Sequence, residues 1–338
     1  MSRGLGDVYK RQGLPIELMV EKKVGKPGNK VDAKTFREKC REYAAKQVDG
    51  QRTDFIRLGV LGDWDKPYLT MDYQFEANIV RSLGKIIEKG HLHQGSKPVH
   101  WCLDCGSALA EAEVEYQDKE SPAIDVMFSA VNNSDFEKAF GCSDGEGDIN
   151  AVIWTTTPWT LPANQAVALG PELEYGLYEF ALGDQRQRLI LAVELAADSL
   201  SRYDVRDIYQ IAVFKAEDIQ GILLNHPFAE RRVPVIAGDF VTLEAGTGAV
   251  HIAPGHGEDD FAAGVANELE IDNPVGGDGV YLPGTPLFEG QHINKAADAI
   301  LEVLTQQGCL LNREPYHHSY PHCWRHRTPL IFRATPQW

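Results

Sequence analysis

Two short pairs of soft donors constrain this chain more than any other feature. Cys102 and Cys105 form a C-x-x-C, and Cys323 and His326 form a C-x-x-H. Together they offer three thiolates and one imidazole, a complete tetrahedral set for zinc. Gly106 suits the tight turn that aims both sulfurs of the first pair at one ion. If the two knuckles share one zinc, the metal clamps the ends of the segment 100–330 and marks it as an insertion with adjacent termini. The alternative is that each pair is merely local, and His322 competes with His326 as fourth ligand. Cys40, Cys142 and Cys309 stand alone, as small buried hydrophobes usually do. Nothing implies secretion, so a disulfide framework is not expected and the metal reading gains weight.

With 338 residues, the chain is long enough for one large domain or two ordinary ones. Hydrophobic residues make up 43% and charged residues 24%, the balance of a soluble globular protein. No apolar run approaches the roughly 20 residues that span a bilayer. The opening MSRGLGDVYKRQ has charges but no apolar core, so it is not a secretory signal. The formal net charge of −16 counts mildly against a nucleic-acid binder. Local basic clusters remain at Arg231-Arg232 and Arg325-His326-Arg327.

Residues 1–12 show no periodicity. Phe36, Cys40 and Tyr43 recur at helical spacing and predict an amphipathic helix over about 32–48, with Asp32 as N-cap. Phe75, Ile79, Leu83 and Ile86 predict a second over about 72–89, closed by Gly90 at C′. A Gly- and Pro-punctuated loop, LGVLGDWDKPYLTM, lies between them. Beyond His100 short β-branched runs take over, at Ala151–Thr155, Leu189–Val193, Val233–Ile236 and Gly248–Ile252. Helical patterns sit at about 195–202, 258–270 and 294–307. The segment is mixed α/β, with no Gly-rich dinucleotide fingerprint and no P-loop.

Two motifs carry chemistry. WTTTPWTLPAN, at 154–164, opens at a strand end and enters a proline-bounded turn. Thr155, Thr156 and Thr157 present hydroxyls on both faces of the strand end, and Thr160 and Asn164 add polar groups. Such a row could hold an ester, a ribose and a water without a strong nucleophile; read on composition alone, a β-propensity run with a tight turn is the better explanation. GTGAVHIAPGHGEDDF, at 246–261, delivers His251 on a strand and places Asp259 and Asp260 in the first turn of a helix, where the dipole favours carboxylates. One acid can cap the helix while the other faces a pocket. Taken alone, His251 reads as a core histidine. His251, His256 and Asp260 could be read as a metal triad, but they lie on a strand, a loop and a helix start, unlike a compact H-E-x-x-H.

These residues resemble the class I aminoacyl-tRNA synthetases and, within them, the isoleucyl-tRNA synthetase family of the bacterial type. The resemblance covers Gly13 to Trp338. It is most specific at the two motifs above, at LGDWDKPYLTMD (61–72) and at SYPHCWRHRTPLIFRATPQW (319–338). Thr157-Pro158-Trp159 is the isoleucyl form; the valyl and leucyl relatives carry an arginine after the threonine pair. The resemblance implies an α/β chain in four parts: an unmatched leader at 1–12, reading as a truncated gene or artificial junction; part of a Rossmann-type catalytic domain at 13–99; an inserted editing domain with a β-barrel-like core and the zinc knuckles at 100–330; and a return to the catalytic domain at 331–338.

The family's HIGH and KMSKS signatures, which serve ATP and the adenylate, are absent. The expectation is therefore a cytoplasmic, monomeric isoleucine–tRNA ligase segment that hydrolyses mischarged valyl-tRNA and does not itself activate isoleucine. ATP and magnesium would serve only the full-length enzyme, and zinc would be structural. By matching positions, Asp260 holds the substrate ammonium, His251 excludes isoleucine, Thr155, Thr156, Thr157 and Thr160 line the site, and Asn164 supports them. The rival readings are a free-standing trans-editing deacylase and a non-enzymatic zinc-containing tRNA-binding module.

Overall fold

The computed structural model describes residues 13–28, 30–183 and 185–337; the leader at 1–12 lies outside them. The chain divides into two units, one up to His93 and one from Gln94. No helix among the described residues is long and apolar enough to cross a membrane.

The first unit is helical: α1 (Gly13–Val24), α2 (Ala33–Arg57) and α3 (Tyr73–Glu88). Asp32 and Asp72 start α2 and α3 by accepting backbone N–H groups of the first turn. Gly90 takes the positive φ of +71° that ends α3. Helix α2 continues well beyond the expected 48. Helix α1 was not legible as periodicity, yet Pro15 sits in its first turn and Lys22 and Lys23 in its last, where each is favoured. Val20 and Phe36 are buried. Arg41 ties α2 to α3 through Glu76 at 2.5 Å and lies over the Tyr73 ring. The expected apolar face of α3 forms, but Ile79, Leu83 and Ile86 on it are exposed.

The second unit runs β1 (Gly95–Cys102), β2 (Ser107–Ala108), β3 (Val114–Ser129), α4 (Asn133–Phe140), β4 (Ile149–Thr155), β5 (Ala166–Leu169), β6 (Glu174–Leu182), β7 (Gln185–Ala192), α5 (Val193–Ser201), β8 (Arg206–Lys215), α6 (Ala216–Ile219), β9 (Leu223–Asn225), β10 (Arg232–Ala237), β11 (Ala249–Ile252), α7 (Glu258–Ala266), α8 (Ile293–Gln306), β12 (Leu310–Cys323) and β13 (Ile331–Gln337). Three sheets result, in the orders β12-β3-β4-β7-β6-β8, β11-β5-β10-β9 and β13-β1-β2. The barrel-like core expected from the resemblance takes the form of open sheets packed on several apolar clusters; among the described residues no sheet closes on itself.

Strand β4 shows why its sequence lacks polar alternation. Ile149, Ala151 and Ile153 face the main core, while Val152 faces a second cluster with Phe180, Leu189 and Leu191. A strand covered on both faces reads as a continuous apolar run. Strand β4 therefore delivers Thr155 from the middle of a sheet. Strand β11 reaches the same region from the other sheet, antiparallel to β5 with His251 opposite Val167. Gly248, at φ +83°, permits the approach, because a Cβ there would strike Ala192.

Tyr175 anchors this junction. Its hydroxyl accepts from Gly170 N and donates to the Gly248 carbonyl, both at 2.7 Å, with the ring fully buried. Tyr175→Phe leaves both backbone groups buried and unpaired, so it should cost about 1–3 kcal/mol of stability, read by urea unfolding. An unchanged midpoint would show that the hydroxyl does not anchor β11.

Candidate functional site

Thr155 ends β4, and Pro158 opens a 3₁₀ turn over Pro158–Ala163. Proline is tolerated there because its missing N–H would have no intrahelical partner. The Thr155 hydroxyl accepts from Thr157 N at 3.1 Å and lies 3.3 Å from the Thr157 hydroxyl. Thr160 donates its single hydroxyl proton to the Thr157 carbonyl at 2.9 Å.

That donation fixes the state of His251. Its Nε2 lies 2.9 Å from Thr160 Oγ1, which has no proton left to give, so Nε2–H donates. Nδ1 is then the acceptor, and Asn164 Nδ2 stands 3.5 Å from it. Burial, with His226 and His256 close by, pushes His251 down to about 3. The imidazole is neutral with both nitrogens engaged. It is a wall of fixed orientation, not a free base.

Asp260 sits in the first turn of α7. Oδ1 accepts from Ala253 N at 2.8 Å. Burial pushes the carboxyl up to about 6; hydrogen bonds from the Ala253 and Asp260 N–H groups hold it down, and Asp259 adds to the rise. Gly257 is required beside it, because a Cβ there would collide with Oδ2.

A cavity of about 560 Å³ gathers these groups. Thr155, Thr156, Thr157, Thr160, His251 and Asp260 all line it. Asn164 does not; it is fully buried behind His251 and donates to the Ala166 carbonyl at 2.9 Å. Sequence reasoning missed Phe240 and Tyr316 as lining residues. Neither carries a local signal, since each arrives from a distant segment. His256 also lines the cavity. Its Nδ1 donates to the Phe332 carbonyl at 3.0 Å, Nε2 has no hydrogen-bond partner, and burial pushes it down to about 4. Among the described residues His251, His256 and Asp260 do not form a metal-holding group.

Cys102, Cys105, Cys323 and His326 do. Their ligand atoms all lie within 4.8 Å of one another. Cys105 Sγ stands 3.8 Å from Cys323 Sγ and 3.3 Å from His326 Nδ1. Metal–sulfur bonds of ~2.3 Å in a tetrahedron put sulfurs about 3.8 Å apart, so the set fits a metal ion without rearrangement. Cys102, Cys105 and Cys323 are free thiols, and Cys102 and Cys323 are fully buried. Burial pushes the Cys102 and Cys105 thiols up, so a cation is needed to ionise them. The choice left open between two histidines resolves to His326. His322 points its Nδ1 at the Tyr320 carbonyl, 2.8 Å away. Arg325 donates to Cys105 Sγ at 3.5 Å and pairs with Glu113, a support of the kind that tunes metal ligands.

The family model of tRNA synthetases class I (I, L, M and V) matches residues 8–338. The isoleucine–tRNA ligase of Nitrosococcus oceani is 61% identical over 329 residues, which is 96% of this chain and 35% of that protein. That of Vibrio campbellii is 60% identical over 330 residues, with the same coverages of 96% and 35%. The chain thus spans about a third of the length of these relatives. The editing domain of the Plasmodium falciparum cytosolic leucyl-tRNA synthetase is similar at a TM-score of 0.46 and 10% identity, over 58% of this chain and 99% of that one. The chain belongs to the class I tRNA synthetases, in the group of the I, L, M and V enzymes.

Proposed function

We propose that this chain is the editing part of an isoleucine–tRNA ligase. The whole enzyme would charge tRNA(Ile) with isoleucine at the expense of ATP, and this part would hydrolyse valyl-tRNA(Ile) formed in error. The observation that carries the reading is the single cavity in which a buried carboxylate, a neutral histidine wall and a row of threonine hydroxyls face one another. No serine or cysteine nucleophile with an adjacent base lines it, so the geometry suits a bound water attacking a positioned ester.

A pocket shaped for isoleucine cannot strongly reject valine, which lacks one methylene; this pair is the standing example of that limit, and a second hydrolytic sieve is its remedy. In the proposed step Asp260 holds the α-ammonium through a charge-assisted hydrogen bond. The hydroxyls of Thr155, Thr156 and Thr157 orient the ester and the terminal ribose. The water attacks the carbonyl carbon, and the ester C–O bond to the ribose breaks. The valyl group leaves as valine, and the ribose hydroxyl takes up a proton. His251, held by Thr160 and Asn164, stands where a larger side chain would need to lie. The metal is zinc and structural, since four protein ligands leave no position for water. The partner is tRNA, and the chain acts as a monomer.

Asp260, His251 and the metal site each test this. Ammonium binding needs an ionised Asp260, so kcat/KM for valyl-tRNA should fall as pH drops through about 6. Asp260→Asn should abolish deacylation at pH 8; unaltered activity would sink the ammonium role. The same change bears on stability. The folded carboxyl titrates at about 6, above the ordinary aspartate value of about 4, so the fold favours the protonated acid. Its cost is absent below about 4, grows to about 6 and is full above. Asp260→Asn should therefore raise the melting temperature at pH 8 and leave it unchanged at pH 3.5.

His251→Ala should admit isoleucyl-tRNA to hydrolysis while valyl-tRNA is still cleaved; retained discrimination would remove His251 from the sieve. Finally, Cys105→Ser should reduce bound zinc from about one per chain to near zero by elemental analysis and lower the melting temperature, with the residual signal at background. Full zinc in that variant would overturn the shared site.

A further inference from the structure

A row of rings runs along one face of β12. Alternate residues of a strand point the same way, so Tyr316, His318, Tyr320 and His322 stand in file. Successive ring centroids are 5.6, 5.4 and 6.2 Å apart. Trp154, at the end of β4, extends the file by an edge contact to Tyr316 at 5.0 Å. The neighbouring strand puts Ser121 opposite Tyr316 and Lys119 opposite His318. Ser121 Oγ lies 3.1 Å from His318 Nε2, and the Lys119 ammonium lies 4.2 Å from the Tyr320 ring centroid. The intervening residues of β12 carry a different character: His317 and Ser319 are exposed, and His317 pairs with Glu120.

The file joins two cavities. Trp154 and Tyr316 line the cavity of Thr155 and Asp260. Lys119, Ser121 and Tyr320 line a second one, of about 440 Å³. Thr156 and Thr157 line both. Tyr316, His318 and Tyr320 are half-buried, unlike rings in a packed core. Lys119 is half-buried as well and has no carboxylate at ion-pair distance among the described residues. An ammonium held over a ring with no counter-charge is complementary to an anion from outside. Rings in file beside one cation are what a single-stranded nucleic acid uses, with bases on the rings and phosphate on the cation.

We propose that this file is the track for the unpaired nucleotides that precede the esterified one. Their bases stack on Tyr320 and His318, one phosphate meets Lys119, and the terminal nucleoside is passed across Thr156 and Thr157 into the cavity of Asp260. The proposal rests on the reading of that cavity as a deacylase for RNA 3′ esters, and the test separates the two.

The full chain is assayed on two substrates: valyl-adenosine, which reaches the cavity alone, and a valylated RNA hairpin with a four-nucleotide unpaired 3′ end. Loss of one base–aromatic stack is worth about 1–3 kcal/mol, so Tyr320→Leu should raise KM for the hairpin roughly 5- to 150-fold and leave valyl-adenosine unaffected. Tyr320→Phe, which keeps the ring, should restore the hairpin KM. Lys119→Met should flatten the dependence of log KM on log salt by about 0.7, the share of one phosphate on a single strand. Equal losses on both substrates would make Tyr320 a structural residue and overturn the track, as would no loss on either. If the wild-type chain cleaves neither substrate, the deacylase reading fails. Fluorescence anisotropy with the unacylated hairpin then decides the track alone: weaker binding by Tyr320→Leu and Lys119→Met supports it, and unchanged binding overturns it.

Discussion

Cys105 and His326 are 221 residues apart in sequence, yet their ligand atoms stand 3.3 Å from each other. Closing a loop of that length costs about 5 kcal/mol of chain entropy on the simple logarithmic law, before any constant term. The closure is met from two directions. Strands β1 and β13 pair in continuous antiparallel register from Gly95↔Gln337 to Trp101↔Ile331. The four donors then sit at the end of that ladder, within reach of a single ion. Everything between, including the threonine turn and the β11–α7 loop, is folded under this boundary condition.

Within the site, orientation passes along a chain of neutral groups. The Thr157 carbonyl accepts a hydrogen bond from the Thr160 hydroxyl, the Thr160 oxygen then accepts one from His251 Nε2–H, and Asn164 faces the remaining nitrogen. Each member has one role once the first is fixed. Asp260 is the opposite case, a carboxyl held where burial opposes its charge. A site of this kind gives up some stability for a carboxylate whose charge is strongly felt by what binds beside it.

The parts legible in sequence were those with local causes. Asp72, the apolar spacing of α3 and Gly90 are one helix written out in order. The β-branched run at 151–155 and the Gly/Pro loop after Ile252 likewise announce a strand and a strand-to-helix turn. The threonine row and the two donor pairs could be named for the same reason. What was not legible depends on distant partners. Tyr316 lines the cavity through the register of β12 on β3, and Phe240 comes from a loop with no motif. His322 and His326 are equivalent as letters; the Tyr320 carbonyl, which engages His322, separates them. The length of α2 was underestimated because its later turns are polar, so apolar spacing has little to mark.

The pairing of β3 has a mechanical side. Only Ile124–Ser129 of β3 has β4 as a second neighbour, whereas its stretch Val114–Ala123 is paired with β12 alone. Ten residues of extended chain reach about 33 Å, so the outer part is an arm of that order. At its tip lies Cys323, one of the donor set, and at its root lies Thr155. Two-stranded ribbons twist more than wide sheets do. The ribbon therefore meets the sheet where it becomes broad, at Ile124 and Thr155. One two-stranded ribbon thus spans the distance from the cysteine tetrad to the threonine turn.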